Sequence, residues 1–256
     1  MLGNFSYFRC MIQNVELKKS LIWGLAIITT ALILGGAFKN RNQGENVISV
    51  TGKAEKTFSS DLIVWRGSFS RNASTLKEAY DLLNQDIEVV KKYLKGKGVN
   101  DNVPVFDAVD IQKLYRSETD KDGNETTFFS GYLLTQVVKI ESKDVDRIEK
   151  LSREVTELIN QGLEFNSSAP EYYYTQLANL KIEMIAEATK DARLRAEKIA
   201  QESGSSLGNL KNGDMGVFQI VAPNSSDEDY SWGGSLNTSS REKSASITMS
   251  LSFNVD

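Results

Sequence analysis

The chain has 256 residues, with 30 Lys and Arg against 34 Asp and Glu, a net charge of −4, one cysteine and no histidine. The absence of histidine excludes His-based triads and removes both the usual general base and the commonest transition-metal ligand. With Cys10 alone there is no internal disulfide or cysteine–zinc site, and with acids and bases interspersed no basic stripe points to nucleic acid.

The first element in chain order is also the most informative. Ser20 to Phe38 (SLIWGLAIITTALILGGAF) is a run of 19 uncharged residues. As a helix it spans about 28 Å, close to the hydrocarbon thickness of a bilayer. It is read as a transmembrane helix or uncleaved signal anchor over residues 20–38, in contact with membrane lipid. A leader (1–19) precedes it and a linker (39–46) follows. A cleaved signal peptide stays open as the alternative, because Gly35-Gly36-Ala37 offers a small-residue cleavage site. Against it stands a leader longer than an ordinary n-region. Arg9, Lys18 and Lys19 lie before the span, Lys39 and Arg41 after it. The slight bias favours a cytoplasmic leader. The expected location is the bacterial inner (cytoplasmic) membrane, single pass, with the C-terminal domain facing the periplasm or exterior.

Residues 47–256 read as one α+β domain, long enough for its own core. Val47–Thr51 reads as a short strand and Leu62–Arg71 as a longer one, with Ile63, Trp65 and Phe69 on one face. A helix follows, opened by the capping pair Thr75 and Glu78, carried by Leu76, Ala79, Leu83, Ile87, Val90 and Leu94, and stopped by Gly96 and Gly98. Val105–Arg116 and Thr126–Ile140 read as a hairpin turning at Asp122-Gly123. The acidic turn does not fit a calcium loop: counted from Glu118, the twelfth position is Phe129 rather than glutamate. A helix over Asp144–Gln161, a strand over Leu163–Thr175 and a long alanine-rich helix over Gln176–Ser203 come next. Gly204, Gly208, Gly213 and Gly216 read as turn positions. Gly216–Ala222 is a short strand, 223–243 a flexible polar loop, and the alternation of Ile247, Met249, Leu251, Phe253 and Val255 with polar residues is the clearest strand of all. Adjacent strands joined by short turns predict antiparallel sheets covered by about three helices.

Several segments, in this order, resemble the SIMPL-domain family: VISVTGKAEKTFSSD, LKGKGVNDNVPVFDAVDI, Gly131-Tyr132 with Gln136 in SGYLLTQVVKI, and Asp191-Ala192-Arg193 with Ala196-Glu197-Lys198 and Ala200. The likeness runs from about Asn46 to Asp256. The chain departs from the family pattern in its leader and retained anchor, and in carrying Ser60 where a proline before Asp61 is common. The resemblance implies an exported bacterial protein without an established enzymatic activity. Members of the family have been linked to oxidative-stress tolerance and to cell-surface antigens, and at least one forms a ring-like or channel-like oligomer.

No catalytic residue, cofactor-binding residue, metal ligand or cofactor is assigned, since no carboxylate pair or Ser–Lys arrangement is singled out by its spacing. The candidate partner contacts are aromatic. Tyr230 and Trp232 sit in the polar loop, and Tyr172 and Tyr174 share one face of the tyrosine run. The expectation is a membrane-anchored, non-enzymatic envelope protein that self-assembles as a homo-oligomer or acts as a scaffold in stress tolerance. The alternative is a monomeric envelope module binding a peptide, glycan or protein partner.

Overall fold

The computed structural model describes residues 23–36, 46–119, 121–225, 231 and 233–255. Helix α1 (residues 23–36) has no cover from the other described residues: Trp23, Leu25, Ile27, Ile28, Leu32, Ile33 and Leu34 are all at least 60% exposed. Among the described residues no helix is long and apolar enough to cross a membrane. The remainder of the expected 20–38 span, the leader and residues 39–45 lie outside the described residues.

The domain is built on two antiparallel sheets. In the first, β1 (Val47–Ser59) pairs along its whole length with β10 (Glu242–Val255), β8 (Leu207–Met215) flanks β10, and the short β9 (Gln219–Val221) pairs with the start of β10. Helix α4 (Leu177–Glu202) lies across this sheet. Leu180, Met184, Ala188, Ala192, Ala196 and Ala200 form its buried stripe, one residue per turn. The alanines are small because the strand comes close. Gly52 of β1 lies so near the helix that a Cβ there would sit 2.2 Å from the Ala188 carbonyl oxygen. Asp191 accepts the Lys53 amide at 2.9 Å and Arg195 at 2.9 Å, which fixes the helix along the strand.

In the second sheet, β2 (Leu62–Ala73) is central and pairs with β5 (Glu125–Ser142) on one side. On its other side lie β6 (Phe165–Ser167) and β7 (Glu171–Tyr173). The outer edge of β5 carries β3 (Pro104–Phe106) and β4 (Asp110–Thr119). Helices α2 (Leu76–Gly96) and α3 (Val145–Glu154) cover the face bearing Ile63, Trp65, Leu134, Val138 and Ile140, and Leu83, Val90, Leu94, Ile148 and Leu151 complete that core. Phe165 stacks on both Trp65 and Phe69, with ring centroids 5.8 and 5.9 Å apart. Thr75 caps α2 by accepting the Glu78 amide, as its spacing predicts, and Asp144 caps α3 by accepting the Arg147 amide.

Several boundaries differ from the sequence reading. The first strand runs to Ser59 rather than Thr51, because its inward positions Gly52 and Ala54 are small to admit α4 and so lack an apolar pattern. Val105–Arg116 is two strands, broken where the buried Gln136 side chain donates to the Asp107 carbonyl at 2.7 Å. Leu163–Thr175 is likewise two short strands, β6 and β7. The helix over 144–161 ends as α3 at Glu154 and continues as 3-10 turns over Val155–Gln161. Gly208 and Gly213 are not turns but lie within β8, an edge strand with most of its residues exposed. At Ser60 the hydroxyl is buried without a hydrogen-bond partner among the described residues, although the amide donates to the Arg241 carbonyl at 3.0 Å.

Candidate functional site

Past Tyr132, β5 leaves β2 and continues with β4 alone, so the two strands form an arm. Gly131 makes the departure. Its φ of +148° suits glycine, and a Cβ would lie 2.4 Å from the Ala73 carbonyl oxygen. The register then shifts: Leu114 faces Gly131 but Tyr115 faces Phe129, which leaves Ser130 as the extra residue of a bulge. The turn at the tip uses Gly123 at φ +85°. Along the arm, Tyr115, Phe129 and Tyr132 make a ladder of edge-to-face rings with centroids 6.0 and 5.1 Å apart. Ile111 pairs with the buried Leu134, and Tyr115 follows it on the same face four residues on. This stripe continues the inner face of the sheet beyond its helical cover. Ile111 is 52%, Tyr115 60% and Phe129 48% exposed, and Phe128 is exposed on the opposite side.

The tyrosine run splits between the cores of the two sheets. Tyr172 packs into the larger core, and burial pushes its hydroxyl above the usual tyrosine range. Tyr174 is half-buried and tilts against Phe58, ring centroids 4.7 Å apart. Both therefore serve packing within the chain. Tyr230 and Trp232 lie outside the described residues.

Between the two sheets lies a junction built largely from buried polar groups. The residues before β10 are tied to both sheets, since Tyr172 donates its amide to the Thr238 carbonyl at 2.7 Å and Asn237 donates to Ile220 at 2.9 Å. Gln219, buried on β9, donates to the Ser231 carbonyl and accepts the Ser235 amide and hydroxyl, each at 2.9 Å. Lys243, 1% exposed, donates to the carbonyls of Asn237 at 2.5 Å and Ser240 at 2.6 Å. Burial lowers its pKa from 10.5 to about 8. Arg241 reaches α3, donating to Asp146 at 2.6 Å and Glu149 at 3.2 Å. Sequence reasoning missed Gln219 and Lys243. The available signal was a lysine at an inward position of an alternating strand, two residues before Ala245.

A shallow groove of about 530 Å³ runs between β1 and α4, lined by Val50, Thr51, Leu194, Arg195, Lys198 and Ile199. Among the described residues no group of three or more acidic, cysteine or histidine side chains converges as a metal site. The clustered carboxylates at Lys97 are engaged in ion pairs: Glu154 and Glu157 both lie 2.9 Å from its ammonium.

Comparison with known proteins identifies a family. The profile of the SIMPL family, described as a protein of unknown function (DUF541), matches residues 48–253. The 26 kDa periplasmic immunogenic protein of Brucella abortus (strain S19) is 28% identical over 149 residues, 55% of this chain and 60% of its own length. Its counterpart in Brucella melitensis biotype 1 is 27% identical over the same extent. The matched region thus spans 60% of the length of these curated relatives.

Proposed function

The chain belongs to the SIMPL family, and on that premise we propose that it is a membrane-anchored, non-enzymatic envelope protein whose domain self-assembles through the β4–β5 arm. The observation that carries this reading is the arm's apolar stripe. Ile111, Tyr115 and Phe129 prolong a core face into solvent, where a monomer gains nothing from them. Aromatic side chains that expose large apolar area on a rigid strand pair are the usual anchors of protein contacts. The names of the Brucella relatives support a periplasmic address. The uncharged run 20–38 and the uncovered apolar surface of α1 support an anchor in the inner membrane.

Light scattering of the full chain in detergent at micromolar concentration tests the assembly. The expected result is a mass of several chains that falls to one in the Tyr115→Ser/Phe129→Ser variant. The urea midpoint should change little, because the altered side chains are exposed. A wild-type chain that is monomeric in detergent and gives no self-crosslinks in native membranes would overturn the reading and leave the monomeric binding module.

A further inference from the structure

We infer that the surface where the start of β1 meets the last turns of α4 rests against anionic phospholipid headgroups of the bilayer holding α1. The inference builds on the anchor reading above and adds the side of the domain that faces the lipid.

The placement follows from chain direction. Ten residues, 37–46, separate the last described residue of α1 from Val47, the first of β1. Fully extended, they reach about 35 Å at most. The start of β1 is therefore the part of the domain tied closest to the membrane. Helix α4 runs antiparallel to that strand. Phe58 meets Tyr174, Lys56 meets Glu183, Gly52 meets Ala188 and Ala192, and Lys53 meets Asp191. The C-terminal half of α4 thus lies at the tethered end of the domain.

The chemistry at that end is mixed in the way a headgroup layer requires. Leu194 and Ile199 are 55% and 50% exposed and line the groove with Val50. Arg195 and Lys198 stand on the same groove. Asp191 and Glu197 are engaged within the helix, by Arg195 and Arg193, and Lys198 donates to the neutral Gln201, so that Glu202 is the remaining acid of these turns. Apolar side chains that dip between headgroups, flanked by cations that meet phosphate, describe a bilayer surface better than a protein groove. The tether keeps the local concentration of that surface high.

The test uses the full chain in nanodiscs, with Cys10→Ser and a single fluorophore on either Ile199→Cys or Ile182→Cys. Position 182 is also exposed and lies about 25 Å away along α4. Doxyl-labelled lipids report contact. In discs of phosphatidylcholine with about 30% phosphatidylglycerol, the 199 label should be quenched and the 182 label should not. Quenching at 199 should be lost in discs without phosphatidylglycerol, in high salt, and in the Lys198→Glu/Arg195→Gln variant. Trp23 fluorescence separates the two ways of failing. If doxyl lipids do not quench Trp23, the anchor reading falls and this inference with it. If Trp23 is quenched but 199 is not, this inference alone is overturned. Shielding of 199 that ignores lipid charge and grows with the protein-to-lipid ratio would place a second copy on the groove and also overturn it.

Discussion

The Lys243 ammonium donates to the Asn237 carbonyl at 2.5 Å in an interior where Lys243 is only 1% exposed. The surrounding charges are engaged elsewhere: Arg241 by Asp146 and Glu149, Glu55 by Lys53, and Asp61 by Thr175. Uncompensated burial of the charge lowers the folded-state pKa from 10.5 to about 8. Between those values the unfolded chain binds the additional proton, so stability rises with pH across about 8 to 10.5 and is flat with respect to this group below 8. The gain approaches about 3 kcal/mol at the upper end. Urea midpoints measured from pH 7 to 10 should climb for the wild type relative to Lys243→Met, which lacks the titration. Parallel curves for the two proteins would refute the assignment. Taking the difference removes the opposing effect of tyrosines such as Tyr93, whose raised pKa acts in the alkaline range.

Gly52 is fixed by contact rather than by backbone angle. A Cβ there would meet the Ala188 carbonyl oxygen at 2.2 Å and the Ala192 amide at 2.4 Å, both backbone atoms that cannot rotate away. Gly52→Ala must push α4 off the sheet, and the expected cost is about 2–4 kcal/mol. Hydrogen exchange should locate the loss in α4 and β1, leaving α2 and its sheet protected. A variant with an unchanged urea midpoint would contradict the close approach.

Arg71 and Asp86 form the most enclosed ion pair of the larger core. The Asp86 side chain is 10% exposed and Arg71 grips both its oxygens, with a further bond to the Gly162 carbonyl at 3.1 Å. Removing one partner strands the other. Arg71→Leu and Asp86→Leu should each cost about 3 kcal/mol, whereas the double change Arg71→Leu/Asp86→Leu should recover much of that loss. Thermal unfolding of the two single variants and the double variant gives the coupling directly. Additive effects would show that the pair does not act as a unit.

How much of this was readable in the sequence depended on burial. β2, the inner part of β5 and the second half of β10 bury one face more than the other, so their alternation stood out. β8 has most of its residues exposed, and its polar, glycine-bearing LGNLKNGDM carries no period to read. The second half of β1 was hidden for the opposite reason, since its dry positions are Gly52 and Ala54, sized for a helix that only the fold brings near. The segments that resemble the family now have physical roles. Asp191 holds the Lys53 amide, Ala192, Ala196 and Ala200 seat α4, Gln136 breaks the edge strand at Asp107, and Gly131 turns the arm. The junction stayed illegible because Lys243 and Gln219 bind mainly backbone atoms, and a backbone partner leaves no mark on which residue types stand nearby.

Gly131 links the arm's geometry to the function proposed for it. At φ +148° and with the Ala73 carbonyl 2.4 Å from where a Cβ would stand, any side chain strains the backbone and displaces the end of β2 together. Gly131→Ala should therefore destabilise the chain by about 2–4 kcal/mol. The damage should be local: amides of Asp110–Thr119 and 125–131 exchange faster, while Ile63, Trp65 and Ile140 stay protected. Because the bulge at Ser130 sets the direction of the Tyr115–Phe129 ladder, self-association should weaken in the same variant even where the domain remains folded. Unaltered assembly with an altered arm would place the contact elsewhere on the domain.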